Sequence, residues 1–273
     1  MSAEQSLREG DLDRALALLQ DQVRKEPANP KHRIFLFQLL ALLGQWSRAL
    51  NQLNVVGELD AEALSMVQTY RTALECEVLR TDIFAGRRSP VVFGQPEQWV
   101  ALLVQSLGAL AAGNYQQALS LREEAFEGAP ATTGTLDGTP FEWIADADPR
   151  LGPLLEVIVS GRYYWIPFDR IRAIVFEAPS DLRDLVWLPA HFAWSNGGES
   201  VGLVPVRYPG SELSSDGQIR MARKTEWQEP ASDVVIGLGQ RMLATDAGEY
   251  PLLETRAIDL DVEEPEAAEP ADG

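Results

Sequence analysis

Three heptapeptides decide the fold of the first half of this chain: Gly10-Asp-Leu-Asp-Arg-Ala-Leu16, Gly44-Gln-Trp-Ser-Arg-Ala-Leu50 and Gly113-Asn-Tyr-Gln-Gln-Ala-Leu119. The first two glycines lie 34 residues apart, and the third follows after 69, two periods and one residue. A proline stands twelve residues beyond the alanine in the first and third copies (Pro27, Pro130), where the second has Ala61. Glycine closes a helix because it enters left-handed backbone without a Cβ clash. Asp11 and Asn114 are of the types that cap a helix start. The small alanine lets two antiparallel helices approach, and proline, lacking an N–H, ends the second helix. A 34-residue period of this kind resembles the tetratricopeptide repeat, in which helical hairpins stack.

Between the glycines the apolar residues fall at helical spacing. Ile34, Phe35, Leu36, Leu39, Leu40 and Leu43 form one such series, and Trp99, Val100, Leu103, Val104, Leu107 and Leu110 another. The segment 61–85 carries Leu64, Val67, Leu74, Val78 and Leu79 without the heptapeptide, and is expected to fill the third repeat position in degenerate form. Stacked hairpins present grooves that take a peptide or a partner helix. The plainer alternative is an array that only supports the rest of the chain. Phe35, Phe37, Trp46 and Trp99 read as inter-helix packing or as groove contacts.

Beyond Pro130 the texture changes. A polar loop over 131–138 ends the helical periodicity, and aromatics, valine and proline follow at strand spacing. Segments 187–194 and 201–208 flank Ser195-Asn-Gly-Gly198, a hairpin signature because Asn-Gly tolerates positive φ. Strands are also expected over 171–176, 235–243 and 252–260, whereas 151–160 reads as a short helix or a strand, helix favoured. The expected fold is α+β: a tetratricopeptide-like helical array over 1–130, a small, mostly antiparallel α+β domain over 131–258, and a disordered acidic tail over 259–273.

That tail holds seven acids and no base, too little apolar surface to offset its ordering entropy. The whole chain has 23 Lys+Arg against 41 Asp+Glu, and without the tail it still carries −11. Such a surface repels phosphate backbones, which excludes nucleic acid as a partner. No apolar run is long enough for a membrane span, and the N-terminus shows no secretory signal. A single cysteine, Cys76, excludes an internal disulfide and fits a reducing cytoplasm. In its apolar setting Cys76 reads as a small core residue.

The residues that could carry chemistry are few. Glu142, Asp146 and Asp148 lie within seven residues, and a metal-dependent hydrolase would use Asp146 and Asp148 as ligands or as an acid–base pair, with Arg183 nearby. The structural alternative makes Asp148 a helix cap before Pro149, and Asp146 a partner for Arg150 or Arg183. The two histidines, His32 and His191, have no metal-ligand spacing. Ser195 lacks a Gly-x-Ser-x-Gly frame, and Gly237-Leu-Gly239 lacks the third glycine and the lysine of a phosphate loop. No catalytic residue, metal or cofactor is assigned. The run Tyr163–Phe168 and the segment 182–187 are dense in aromatics. Buried they make a core, exposed they make a binding hot spot.

Four stretches bear a family likeness: Asp146-Ala-Asp-Pro-Arg-Leu-Gly-Pro-Leu-Leu-Glu156, Gly161-Arg-Tyr-Tyr-Trp-Ile-Pro-Phe168, Leu182-Arg-Asp-Leu-Val-Trp-Leu-Pro-Ala190 and Pro205-Val-Arg-Tyr-Pro-Gly-Ser211. In this order, behind a helical first half, they resemble the ImpE/SciE family of bacterial type VI secretion. The acidic extension after about Asp259 departs from it. The resemblance implies a non-enzymatic cytoplasmic accessory protein that binds a helix of the small sheath subunit. It also implies an influence on sheath assembly or turnover, with the sheath-recycling AAA+ ATPase engaged indirectly. A general regulatory scaffold is the other non-enzymatic reading. The candidate contact residues are Phe35 and Trp99 from the array, and Trp165, Phe168, Arg183, Asp184 and Trp187 from the family motifs.

Overall fold

A computed structural model describes residues 2–262. The repeat folds as its residues dictate. Helices α1 (Ala3–Glu9) and α2 (Leu12–Lys25) form the first hairpin, α3 (Pro30–Leu42) and α4 (Trp46–Leu59) the second. After α5 (Leu64–Phe84), α6 (Gln98–Ala111) and α7 (Tyr115–Gly128) form the last. The three glycines sit at the hairpin turns with φ of +84°, +67° and +77°. Asp11 caps α2 by accepting the Arg14 N–H at 3.0 Å, whereas Asn114 holds the same position on α7 without a side-chain bond. The motif alanines Ala15, Ala49 and Ala118 are all buried.

Two of these glycines differ in what surrounds them. A Cβ on Gly44 would stand 2.4 Å from Glu212 Cγ, while one on Gly113 meets nothing within 4 Å. Gly113→Ala is expected to cost only the left-handed backbone, about 1–2 kcal/mol. Gly44→Ala should cost measurably more, because Glu212 must also move. Urea midpoints of the two variants decide this, and equal losses would mean that Glu212 gives way freely.

The segment 61–85 is not a degenerate hairpin. A short 3-10 turn, Ala61–Ala63, leads into α5, one helix of 21 residues. Where a second helix would follow, the chain enters β1 (Val91–Val92), which pairs in parallel with β6 (Arg162–Pro167). Without the heptapeptide there is no glycine break inside α5, so it runs on past a normal repeat length.

The second half is built on a nine-stranded sheet among the described residues, in the order β1-β6-β5-β9-β8-β7-β14-β2-β3. Its members are β2 (Gly134–Leu136), β3 (Thr139–Phe141), β5 (Leu154–Val159), β7 (Ile171–Phe176), β8 (Trp187–Trp194), β9 (Glu199–Pro205) and β14 (Ala257–Leu260). Only β1 and β6 are parallel; the β8–β9 hairpin turns on Ser195–Gly198 as its signature predicts. The expected strand over 235–243 divides into β11 (Val234–Gly239), paired with β10 (Thr225–Ala231), and β12 (Met242–Thr245). Strand β12 lies between β4 (Ile144–Asp146) and β13 (Gly248–Pro251) in a second small sheet.

The favoured helix at 151–160 is in fact the strand β5, and burial explains the misreading. All six of its residues are buried. Leu154 and Ile158 pack into one core, with the helices, and Leu155, Val157 and Val159 into another. A strand covered on both faces loses the alternation that marks it in sequence.

The same double cover joins the two halves. Trp165, Trp187 and Leu203 of the sheet share one apolar core with α2 through α6. Helix α3 is buried all round over 36–42, a pattern of helices covered on both sides. The change of texture at residue 130 therefore does not divide the core. At the chain end the expected strand over 252–260 and the expected tail from 259 overlap. Asp259 and Leu260 complete β14, and the Asp261 N–H donates to the Thr133 carbonyl at 2.9 Å. The sheet thus takes the first residues of the segment assigned to the tail; residues 263–273, with the disorder expected of them, lie outside the described residues. No helix among the described residues is long and apolar enough to cross a membrane.

Candidate protein-binding site

Of the residues singled out from the sequence, Trp165 and Trp187 lie on the seam between helices and sheet, and the rest are dispersed. Trp187 is fully buried, its Nε1 donating to Glu77 Oε1 of α5 at 3.0 Å. Its ring lies 5.7 Å from Tyr70 and 6.3 Å from Trp46. Trp165, also fully buried, sits 5.8 Å from Phe84 and donates to the Tyr163 hydroxyl at 2.8 Å. Phe168 is buried in the second core, and Trp99 is buried at the start of α6 with its Nε1 on Glu97 at 3.1 Å. Asp184 is buried because its carboxylate takes the N–H groups of Ser180 and Asp181, both at 2.8 Å. These five are closed to a partner in this conformation. Phe35 is half-buried against the core. Arg183 is partly open, its guanidinium 4.8 Å over Tyr70, paired closely with Asp181 at 2.5 Å and more loosely with Asp184 at 4.0 Å.

Behind these rings lies a chain of buried charges that sequence spacing does not reveal. Arg80 of α5 holds Glu156 of β5 through two bonds of 2.6 and 2.8 Å. Arg241 bridges Glu156 and Asp146, and Tyr163 donates its hydroxyl to Glu156. Burial alone would raise the Glu156 carboxyl; the guanidiniums of Arg80 and Arg241 outweigh it and hold the group down at about 2. Burial dominates at Asp146 and pushes it up to about 6 against the pull of Arg241. Cys76 is buried, and burial pushes its thiol up to about 12, the environment of an unreactive core residue.

The same contacts bear on the hydrolase reading. Asp146 accepts from Arg241, from the Tyr208 hydroxyl at 3.1 Å and from the Asp148 N–H at 2.8 Å. Asp148 is forked by Arg150 and takes the Gly237 N–H at 2.9 Å. It shapes the turn over 148–152 instead of capping a helix. Both carboxylates spend their lone pairs on this chain's own donors. Among the described residues, no group of three or more His, Cys, Asp or Glu is placed to hold a metal ion.

What lies open is a groove along the outer side of α7. Phe126 and Trp143, 39 % and 41 % exposed, stand over a cleft of about 470 Å³. Its floor is of small residues, Ala129, Ala131, Ala145, Gly152 and Ala244. A wider hollow of about 720 Å³ continues along Leu119, Arg122, Glu123 and Glu127, sharing Phe126 and Pro149. Neither aromatic was among the sequence candidates, although Leu119, Arg122 and Phe126 at i, i+3 and i+7 already share a helix face.

Residues 138–259 match the family model described as "ImpE protein", and residues 6–74 match a tetratricopeptide-repeat model. The chain is 55 % identical over 261 residues to the "Type VI secretion system accessory component TagJ" of Pseudomonas aeruginosa, covering 96 % of this chain and 92 % of that one. A crystal structure of a Vibrio parahaemolyticus protein superposes with a TM-score of 0.87 at 25 % identity, covering 96 % of this chain and 98 % of the other. With its distinctive second half matched to the family model and a relative matched almost end to end, the chain belongs to the ImpE family.

Proposed function

We propose that this chain is a non-enzymatic accessory component of bacterial type VI secretion. It acts in the cytoplasm by binding a helical segment of the small sheath subunit, and so modulates sheath assembly or turnover. The observation that carries the reading is its 55 % identity, over nearly its full length, to an accessory component of that system. The stacked hairpins support protein binding as the mode of action. The one carboxylate cluster that suggested catalysis is consumed by Arg241, Arg150 and Tyr208. Part of the array is spent within the molecule, α3 packing on the turn Leu182–Leu185 and α5 on β6. A partner therefore meets outward surfaces, and of the seven expected contact residues only Phe35 and Arg183 are positioned to take part without rearrangement.

The test is capture of the purified small sheath subunit on the immobilised full chain. The full chain is required because its halves share a core. Retention of the subunit, with none on an unrelated tetratricopeptide protein, is the expected result; an empty bait would overturn the sheath assignment.

A further inference from the structure

We infer that the groove along α7 receives one amphipathic helix whose apolar stripe is flanked by lysines and arginines; this rests on the adaptor reading and names the surface and chemistry of that contact. Helix α7 ends the array. On one side it packs on α6 and buries Ala118 and Ala125. Soluble arrays give a terminal helix a polar outer face. This one instead presents Tyr115 and Phe126, 36 % and 39 % exposed, with Leu119 on the same face. Side chains at i, i+4 and i+11 are the footprint on which a further helix packs.

The shape and charge of the groove specify the occupant. The Phe126 ring already rests on Gly152, where a Cβ would stand 2.4 Å from it. The alanines beside Trp143 leave room for a partner's bulky side chains, and aromatic walls over such a pocket are the usual anchors of an interface. From Leu119 to the end of α7 it runs about 15 Å along the helix, long enough for about three turns of a partner. The rim is acidic: Glu123, Glu127 and Asp233 line the wider hollow and are exposed. The one base there, Arg122, reaches across to the Asp233 carbonyl at 3.4 Å. With a chain charge of −18 behind it, this rim attracts basic flanks and repels acidic ones.

The test titrates the labelled small sheath subunit against the full chain and two surface variants, Trp143→Ala and the double charge reversal Glu123→Lys/Glu127→Lys. Each is expected to weaken binding about ten-fold or more at unchanged thermal midpoint, and the charge reversal should also flatten the salt dependence. Hydroxyl-radical footprinting should show Phe126 and Trp143 protected in the complex. Wild-type affinity in both variants, with the subunit bound, would overturn the groove assignment and leave the adaptor reading standing. No binding by the unaltered chain would overturn both. Protection of Phe126 and Trp143 that grows with protein concentration alone would make the occupant a second copy of this chain, against the proposal.

Discussion

Arg241→Ala is expected to lower the stability of the folded chain by about 3–5 kcal/mol at neutral pH, the range for breaking a buried ion pair from one side. Arg241 has no exposed surface and serves Asp146 and Glu156 together, while its Nε donates to the Pro205 carbonyl at 2.9 Å. Removing it leaves two buried carboxylates, of which only Glu156 keeps a cation, Arg80. The sign of the pH dependence follows. Loss of the guanidinium raises both carboxyls, Asp146 from its present value of about 6 and Glu156 from about 2. The variant's folded state then takes up protons at higher pH than the unaltered fold, so its deficit is largest at neutral pH and above and narrows on acidification. Urea unfolding at pH 7.5 and pH 5.5 measures both effects. A deficit under about 1 kcal/mol, the size of a surface-pair effect, would show that the network adds little.

Trp187→Ala is the second large effect, about 3–5 kcal/mol from loss of a fully buried indole. It removes ring contacts to Tyr70 and Trp46 and the N–H that Glu77 accepts. Glu77 is itself buried, and burial already pushes its carboxyl upward, so a lost donor there is costly. Because Trp187 stands where sheet and helices meet, the variant should also keep a single unfolding transition, far-ultraviolet dichroism and tryptophan fluorescence falling together at lower urea. Two resolved transitions would show instead that helices and sheet unfold independently.

The helical array was legible because each of its signals acts locally. A glycine at +84° or +77°, a buried alanine and a terminating proline each constrain one turn of backbone, whatever lies elsewhere. Strand β5 was harder for the opposite reason: it is covered on two sides, which erases the polar–apolar period that distinguishes strand from helix. The aromatic motifs were visible as motifs, but spacing does not say which face of Trp165 or Trp187 meets protein. That depends on the helices stacking over the sheet. Arg241 carried no local signal at all, since its two carboxylates lie 85 and 95 residues earlier. Phe126 and Trp143 had one, a helical stripe and an isolated Trp, overshadowed by the carboxylates beside Trp143.

Strand β1 sets a timetable for synthesis. Val92 leaves the ribosome well before its neighbour in the sheet, Trp165, has been added. At ordinary elongation rates that interval lasts roughly 4–15 s. Throughout it the first helices stand complete except for their cover, with Tyr70, Trp46 and the Glu77 carboxylate facing water until Trp187 arrives. The nascent chain thus carries an apolar face without its cover for seconds. The late-arriving sheet, rather than the early array, decides when the protein is finished.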